Sequence, residues 1–202
     1  VASLACNIVL LASNDIAQKA ITASERLQAH DALFTLDERG PFPHVSLYMT
    51  QLKNTDVEEV IRLLTTIATT APSFSLIADT YFQKEGYIDA NYVRTAELDA
   101  LQMTVIDAIN PIRDGMRDKD KARLPLTEGL ARKNLEQYGY RGVGELFRPH
   151  MTLTRFVSSA KINTSTLPPV SDFSGQFPKL GLFEMGANGT CIRKIVEFDF
   201  RT

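Results

Sequence analysis

Two short stretches, Pro43-His44-Val45-Ser46-Leu47 and Pro149-His150-Met151-Thr152-Leu153, decide how the rest of the chain is read. Both spell Pro-His-x-(Ser/Thr)-Leu, and half the chain separates them. The chain holds only three histidines. Ser or Thr fills about one position in eight and Leu about one in ten, so chance would place two of three histidines in this frame in about one sequence in two thousand. The spacing points to a duplicated lobe.

Strand geometry gives the repeat a meaning. Residues two apart on a strand point the same way. His44 and Ser46 therefore share a face, as do His150 and Thr152. Val45, Leu47, Met151 and Leu153 turn the other way, into an apolar layer. Proline is tolerated as the first residue of a strand, which is where Pro43 and Pro149 fall. By the same parity Tyr48 and Thr154 share the histidine faces, whereas Arg155 falls on the opposite face unless its strand bends.

Working outward, residues 7–11 read as a short buried strand and 14–30 as a helix with apolar positions at Ile16, Ala17, Ala20, Ile21 and Leu27. Thr55 and Glu58 form a capping box for a second helix lined by Val57, Val60, Ile61, Leu64 and Ile67. Residues 74–79 and 87–94 read as strands joined at Gly86. A third helix spans 96–110, capped by Thr95 and stopped by Pro111. Between 111 and 148 only a short helix at 127–137 is expected, with the alternating charges of 117–123 as a solvated loop. A strand follows at 150–156, then a hairpin of 180–185 against 191–200 turning at Asn188-Gly189. Strands, hairpins and helices interleave. The expected fold class is α+β, with antiparallel sheets and helices outside them, in a single domain over residues 1–202.

Composition narrows the function. With 202 residues, 44% hydrophobic and 23% charged, the chain is an ordinary globular protein. With a net charge of −2 whole-protein attraction to nucleic acid is not expected, and any nucleic acid is expected to be held locally in a cleft. That favours a short nucleotide or RNA end. Cys6 and Cys191 belong to no CxxC pair, and reduced thiols are expected. Three histidines without HExxH leave a zinc site little to build on, so neither metal nor cofactor is expected. No apolar run approaches a membrane span of about 18 residues. The run at 8–12 is too short for a signal core. A cytoplasmic monomer without an obligate protein partner is the expectation.

Two imidazoles and two hydroxyls around one cleft suit phosphodiester chemistry. Imidazole titrates near neutrality, so one ring can take a proton while the other gives one, and hydroxyls can donate to non-bridging oxygens. The two motifs resemble the paired HxTx/HxSx signatures of the 2H phosphoesterase superfamily, which includes the 2′-5′ RNA ligase-like proteins. That resemblance implies a bilobal, pseudo-two-fold fold with the active site between lobes, and His44, Ser46, His150 and Thr152 as the catalytic set. It implies 2′,3′-cyclic phosphate hydrolysis, or cleavage or joining of 2′-5′ linkages. His150-Met151-Thr152-Leu153-Thr154-Arg155 is similar to the HxTLxR extension of the ligase-like branch, which nominates Arg155 as a phosphate contact. Ser46 stands where that branch usually has Thr, so the branch and substrate stay open. Two alternatives are a non-catalytic RNA or nucleotide binder that retains the cleft, and a phosphodiesterase for a non-RNA nucleotide derivative. Tyr81, Tyr87, Tyr92, Phe42 and Phe147 are candidates for stacking on a base; His30 matches no motif.

Overall fold

The computed structural model describes residues 2–201. Strand β1 (Ser3–Leu11) leads into helix α1 (Asn14–Leu27), which winds on as one tighter turn through His30. A loop then brings the chain to β2 (Val45–Lys53) and α2 (Val57–Thr70). Next come β3 (Phe74–Leu76), β4 (Ala78–Lys84), β5 (Tyr87–Tyr92), α3 (Ala96–Ile109), α4 (Asp118–Arg123) and α5 (Gly129–Tyr138). The chain closes with β6 (His150–Arg155), β7 (Gly175–Phe177), β8 (Lys179–Met185) and β9 (Cys191–Asp199). The α+β reading holds: β4-β5-β6-β2-β1-β8-β9 form one sheet, and β3 pairs with β7. Every neighbouring pair is antiparallel.

The two motif strands lie side by side at the middle of the sheet, joined by one pair only, Val45 opposite Met151. The local two-fold axis of an antiparallel pair runs through that pair. It carries His44 onto His150 and Ser46 onto Thr152.

One face of the sheet is core. Ile8, Leu10, Val45, Leu47, Met151 and Leu153 are fully buried in one cluster with Ile16, Ala20 and Leu27 of α1, Val60 and Leu64 of α2, and Leu98 and Val105 of α3. Truncating such a Leu to Ala costs about 2–5 kcal/mol, so the strands that hold the motifs are firmly seated. The opposite face carries the polar motif side chains. Helix α3 begins as expected: the Thr95 hydroxyl accepts from the Leu98 amide at 3.2 Å, a cap worth about 1 kcal/mol.

Several expectations are corrected. The Thr55–Glu58 capping box does not form. Residues Asn54–Asp56 wind as a tight turn, the N-cap is Asp56, and the Thr55 hydroxyl donates to the Asp56 carboxylate instead. The strand expected over 74–79 splits at exposed Ile77, so that Phe74–Leu76 can pair with Gly175–Phe177. Residues 117–123 are not a loop. Asp120 is fully buried between Arg117 and Arg123, and this i, i+3 spacing puts the three on one side of a helix. No helix among the described residues is long and apolar enough to cross a membrane.

Candidate active site

Two β-bulges shape the site, one in each motif. Along β1–β2, Val9 pairs with Ser46 and Ile8 with Tyr48, which leaves Leu47 as the extra residue. Along β5–β6, Asp89 pairs with Thr152 and Ile88 with Thr154, which leaves Leu153 as the extra residue. A bulge resets the in–out alternation. Tyr48 and Thr154 therefore turn into the core, both fully buried, against the expectation that they share the histidine faces. The Tyr48 hydroxyl donates to the Tyr138 carbonyl at 2.7 Å, and that of Thr154 to the Phe34 carbonyl. The residue after each returns to the histidine face: Met49 in β2 and Arg155 in β6. The bend that the Arg155 assignment required is thus present.

The two imidazoles are presented alike. His44 Nδ1 lies 2.8 Å from the Phe42 carbonyl and His150 Nδ1 lies 2.7 Å from the Arg148 carbonyl. A carbonyl only accepts, so each Nδ1 carries the proton and each Nε2 is the nitrogen left unprotonated in the neutral ring. The Val45–Met151 pairing makes Thr152 the direct cross-strand neighbour of His44, and His150 its diagonal neighbour, about 7–8 Å away in a regular sheet with the Cβ atoms somewhat closer. His44 and Thr152 line one narrow cavity with Phe34, Phe42 and Asn188.

Their surroundings differ. The Asn7 amide, fully buried in β1, donates to Ser46 Oγ at 2.8 Å and lies 3.3 Å from His44 Nε2. Burial pushes the His44 imidazole down to about 4; the Phe42 hydrogen bond opposes this and the charge of His150 adds to it. His150 is likewise held below the ordinary imidazole value, by burial first and by the Arg148 charge, with the Asp89 carboxylate opposing in part. Asp89 Oδ2 stands 3.9 Å from His150 Nε2 and accepts from Arg148 at 2.7 Å, while Oδ1 accepts from the Thr152 hydroxyl at 2.7 Å. Thr152 therefore spends its proton on Asp89. Ser46 instead accepts from Asn7.

Arg155 reaches the same face. Its Nη1 donates to Asn188 Oδ1 at 2.8 Å, its Nε to the Glu85 carbonyl at 3.2 Å, and its guanidinium lies 4.7 Å over the Tyr87 ring. Of the stacking candidates, Tyr87 and Phe42 stay at the cleft. Tyr81 bonds the Pro168 carbonyl, Tyr92 the Phe173 carbonyl, and Phe147 is core. His30 packs edge-on against Phe156 at the end of α1, beside a separate cavity of about 710 Å³ that holds none of the motif residues. Cys6 and Cys191 are free and buried. Among the described residues no group of three or more His, Cys, Asp or Glu side chains could hold a metal ion.

Asn7, Asp89 and Arg148 belong to the site but to neither motif. Their signal was a polar residue inside an apolar strand: Asn7 in Ala5-Cys6-Asn7-Ile8-Val9, and Asp89 in Tyr87-Ile88-Asp89-Ala90. A buried polar group without partners costs about 1–3 kcal/mol, so its presence there asks for a purpose.

Comparison with known proteins agrees with this architecture. The fold matches the crystal structure of E. coli LigT complexed with phosphate over 100% of both chains, at TM-score 0.62 and 14% identity. It matches a structure described as a phosphoesterase over 100% of both chains, at TM-score 0.62 and 14% identity. TT0787 of Thermus thermophilus matches over 98% of each chain, at TM-score 0.61 and 16% identity. No curated protein matches the sequence. One family model, described as "Protein of unknown function (DUF1045)", matches residues 49–177. That span is well over half of the chain, and the chain accordingly belongs to the DUF1045 family, with a fold like that of E. coli LigT.

Proposed function

We propose that the cleft is the active centre of a metal-independent phosphoesterase that opens a 2′,3′-cyclic phosphate on a nucleotide or RNA end, or cleaves or joins a 2′-5′ linkage. One observation carries the reading: two imidazoles, each fixed through Nδ1 with Nε2 left as the reactive atom, meet across a local two-fold axis in unlike electrostatic settings. Pure binding does not need two such imidazoles with different charged neighbours; acid–base catalysis does. The likeness in fold, and the phosphate and 3′-AMP complexes of E. coli LigT, support it.

In this reading His44, neutral above about pH 4, is the base. Its Nε2 takes a proton from water as the water oxygen bonds to phosphorus. His150, which burial also holds below the ordinary imidazole range but which has the Asp89 carboxylate beside it to favour its charged form, is the acid and protonates the ribose oxygen as its bond to phosphorus breaks. Ser46 and Arg155 donate to the non-bridging oxygens, where each well-placed donor is worth about 10²–10³ in rate. No step needs a metal. The two halves of the sheet are the two lobes of one domain, acting as a monomer on a short substrate. The test is a turnover screen of 2′,3′-cyclic nucleotides, 2′-5′ dinucleotides and cyclic-phosphate-ended oligomers, with product analysis. Hydrolysis of at least one class supports the reading. Binding without turnover across the panel would make the protein a binder, and neither would discard the phosphodiester reading.

A further inference from the structure

Helix α4 brings cations to the cleft that the acid–base chemistry does not use. Arg117 is its anchor: Nη1 lies 3.2 Å from Met49 Sδ and 3.4 Å from Met185 Sδ, and Nη2 pairs with buried Asp120. Met49 is on the Ser46 face of β2, so α4 stands over the cleft floor. Arg123 Nη1 lies 3.4 Å from the other Asp120 oxygen. Lys119 and Arg123, four apart, share a side of the helix. Asp118, the second acid of α4, faces solvent and pairs with Lys121 at 3.1 Å.

Arg155 approaches the same place from β6, lying over Tyr87. Tyr87 feels the charges of both Arg155 and Arg123. Lys119 gives up its proton more readily than an ordinary lysine, first through burial and then through the positive charges of Arg123, Arg155 and Arg117, with the Asp120 carboxylate opposing them. Arg117 and Arg123 thus flank one buried carboxylate, and the charges of Arg123, Arg155 and Arg117 all bear on Lys119, in a chain whose net charge is −2. Like charges held together without an anion repel at a cost, which a bound dianion would reverse.

The geometry points to a second anion site at the α4 edge of the cleft, in which Lys119 and Arg123, with Arg155 between the two sites, hold a phosphomonoester on the same molecule as the reacting phosphodiester. This rests on the phosphoesterase reading above and names its substrate class. The spacing is set by the sheet. Thr152 pairs with Asp89 and Arg155 with Tyr87, so Arg155, which stands between the two sites, is rooted two strand steps, about 7 Å, from Thr152. A single sugar bearing two phosphate groups spans that distance. A dianionic monoester matches the surplus charge better than a singly charged chain diester.

The test compares 2′,3′-cyclic AMP, its 5′-phosphorylated form and a dinucleotide ending in a 2′,3′-cyclic phosphate, on the wild type and on the Lys119→Gln/Arg123→Gln variant. Calorimetry with 3′-AMP and adenosine 3′,5′-bisphosphate runs alongside and needs no turnover. A charge-assisted contact carries about tenfold or more. The wild type should therefore prefer the 5′-phosphorylated substrate by about 10–100-fold in kcat/KM, and the bisphosphate by a similar factor in affinity. Both ratios should fall toward one in the variant. Ratios near one in the wild type, ratios unchanged in the variant, or equal preference for the dinucleotide would overturn the site. A bisphosphate preference that the variant loses, with no cyclic phosphate turned over, would keep the site and discard the phosphodiesterase reading.

Discussion

Acidification should unfold this protein partly through one side chain, His44. In the unfolded chain its imidazole binds a proton near the ordinary 6.5; in the fold burial holds it down to about 4. A lowered imidazole contributes stability that is fully present above 6.5 and is lost as pH falls, because the unfolded state then binds the proton first. The loss is complete near pH 4. At about 1.4 kcal/mol per unit, the gap amounts to about 3 kcal/mol, and the half-buried ring's contact with water trims this toward about 2 kcal/mol. The assay is urea unfolding of the wild type and His44→Gln at intervals from pH 7 to pH 4. Glutamine does not titrate, so any lost hydrogen bond gives a constant offset and only the difference in slope reports on His44. The wild type should lose about 2–3 kcal/mol more than the variant between pH 6.5 and 4. Parallel curves would refute the reasoning, and with it the assignment of His44 as the neutral partner.

Further outcomes follow from the unlike surroundings of the two motifs. Asp89→Asn removes the carboxylate that raises His150 and leaves Arg148 to lower it. The alkaline limb of the kcat/KM–pH profile should then move to lower pH, whereas an unmoved limb would detach Asp89 from the acid. Ser46→Ala should cost about 10²–10³ in kcat, more than Thr152→Ala, whose hydroxyl proton is given to Asp89; equal losses would contradict that division.

Much of the site was legible because a repeated motif carries its own geometry. His44/Ser46 and His150/Thr152 share their faces, and the residues between them are core. What sequence parity misjudged was everything beyond the bulges. Unbroken parity gives Tyr48 and Thr154 the histidine faces and sets Arg155 opposite unless the strand bends, because the extra residues Leu47 and Leu153 are defined by pairing with β1 and β5, not by their own composition. Helix α4 was hidden for a similar reason. Arg117, Asp120 and Arg123 read as solvated charges until tertiary contact buries Asp120 between the two arginines. Asn7 and Asp89 were visible as polar residues in apolar strands, but only the fold brings them to the motif side chains. The capping box failed because Thr55 had a nearer partner in Asp56.

The central claim is that His44 and His150 act as one acid–base pair, and its most direct measurement is kcat on a 2′,3′-cyclic nucleotide for the wild type, His44→Ala, His150→Ala and the double variant, each with and without EDTA. Each ring should contribute about 10²–10⁴ in rate, and the double variant should be little worse than either single one, since the pair works as a unit. EDTA should change none of the four. Full activity in either single variant, or inhibition by EDTA that a divalent ion restores, would contradict the account.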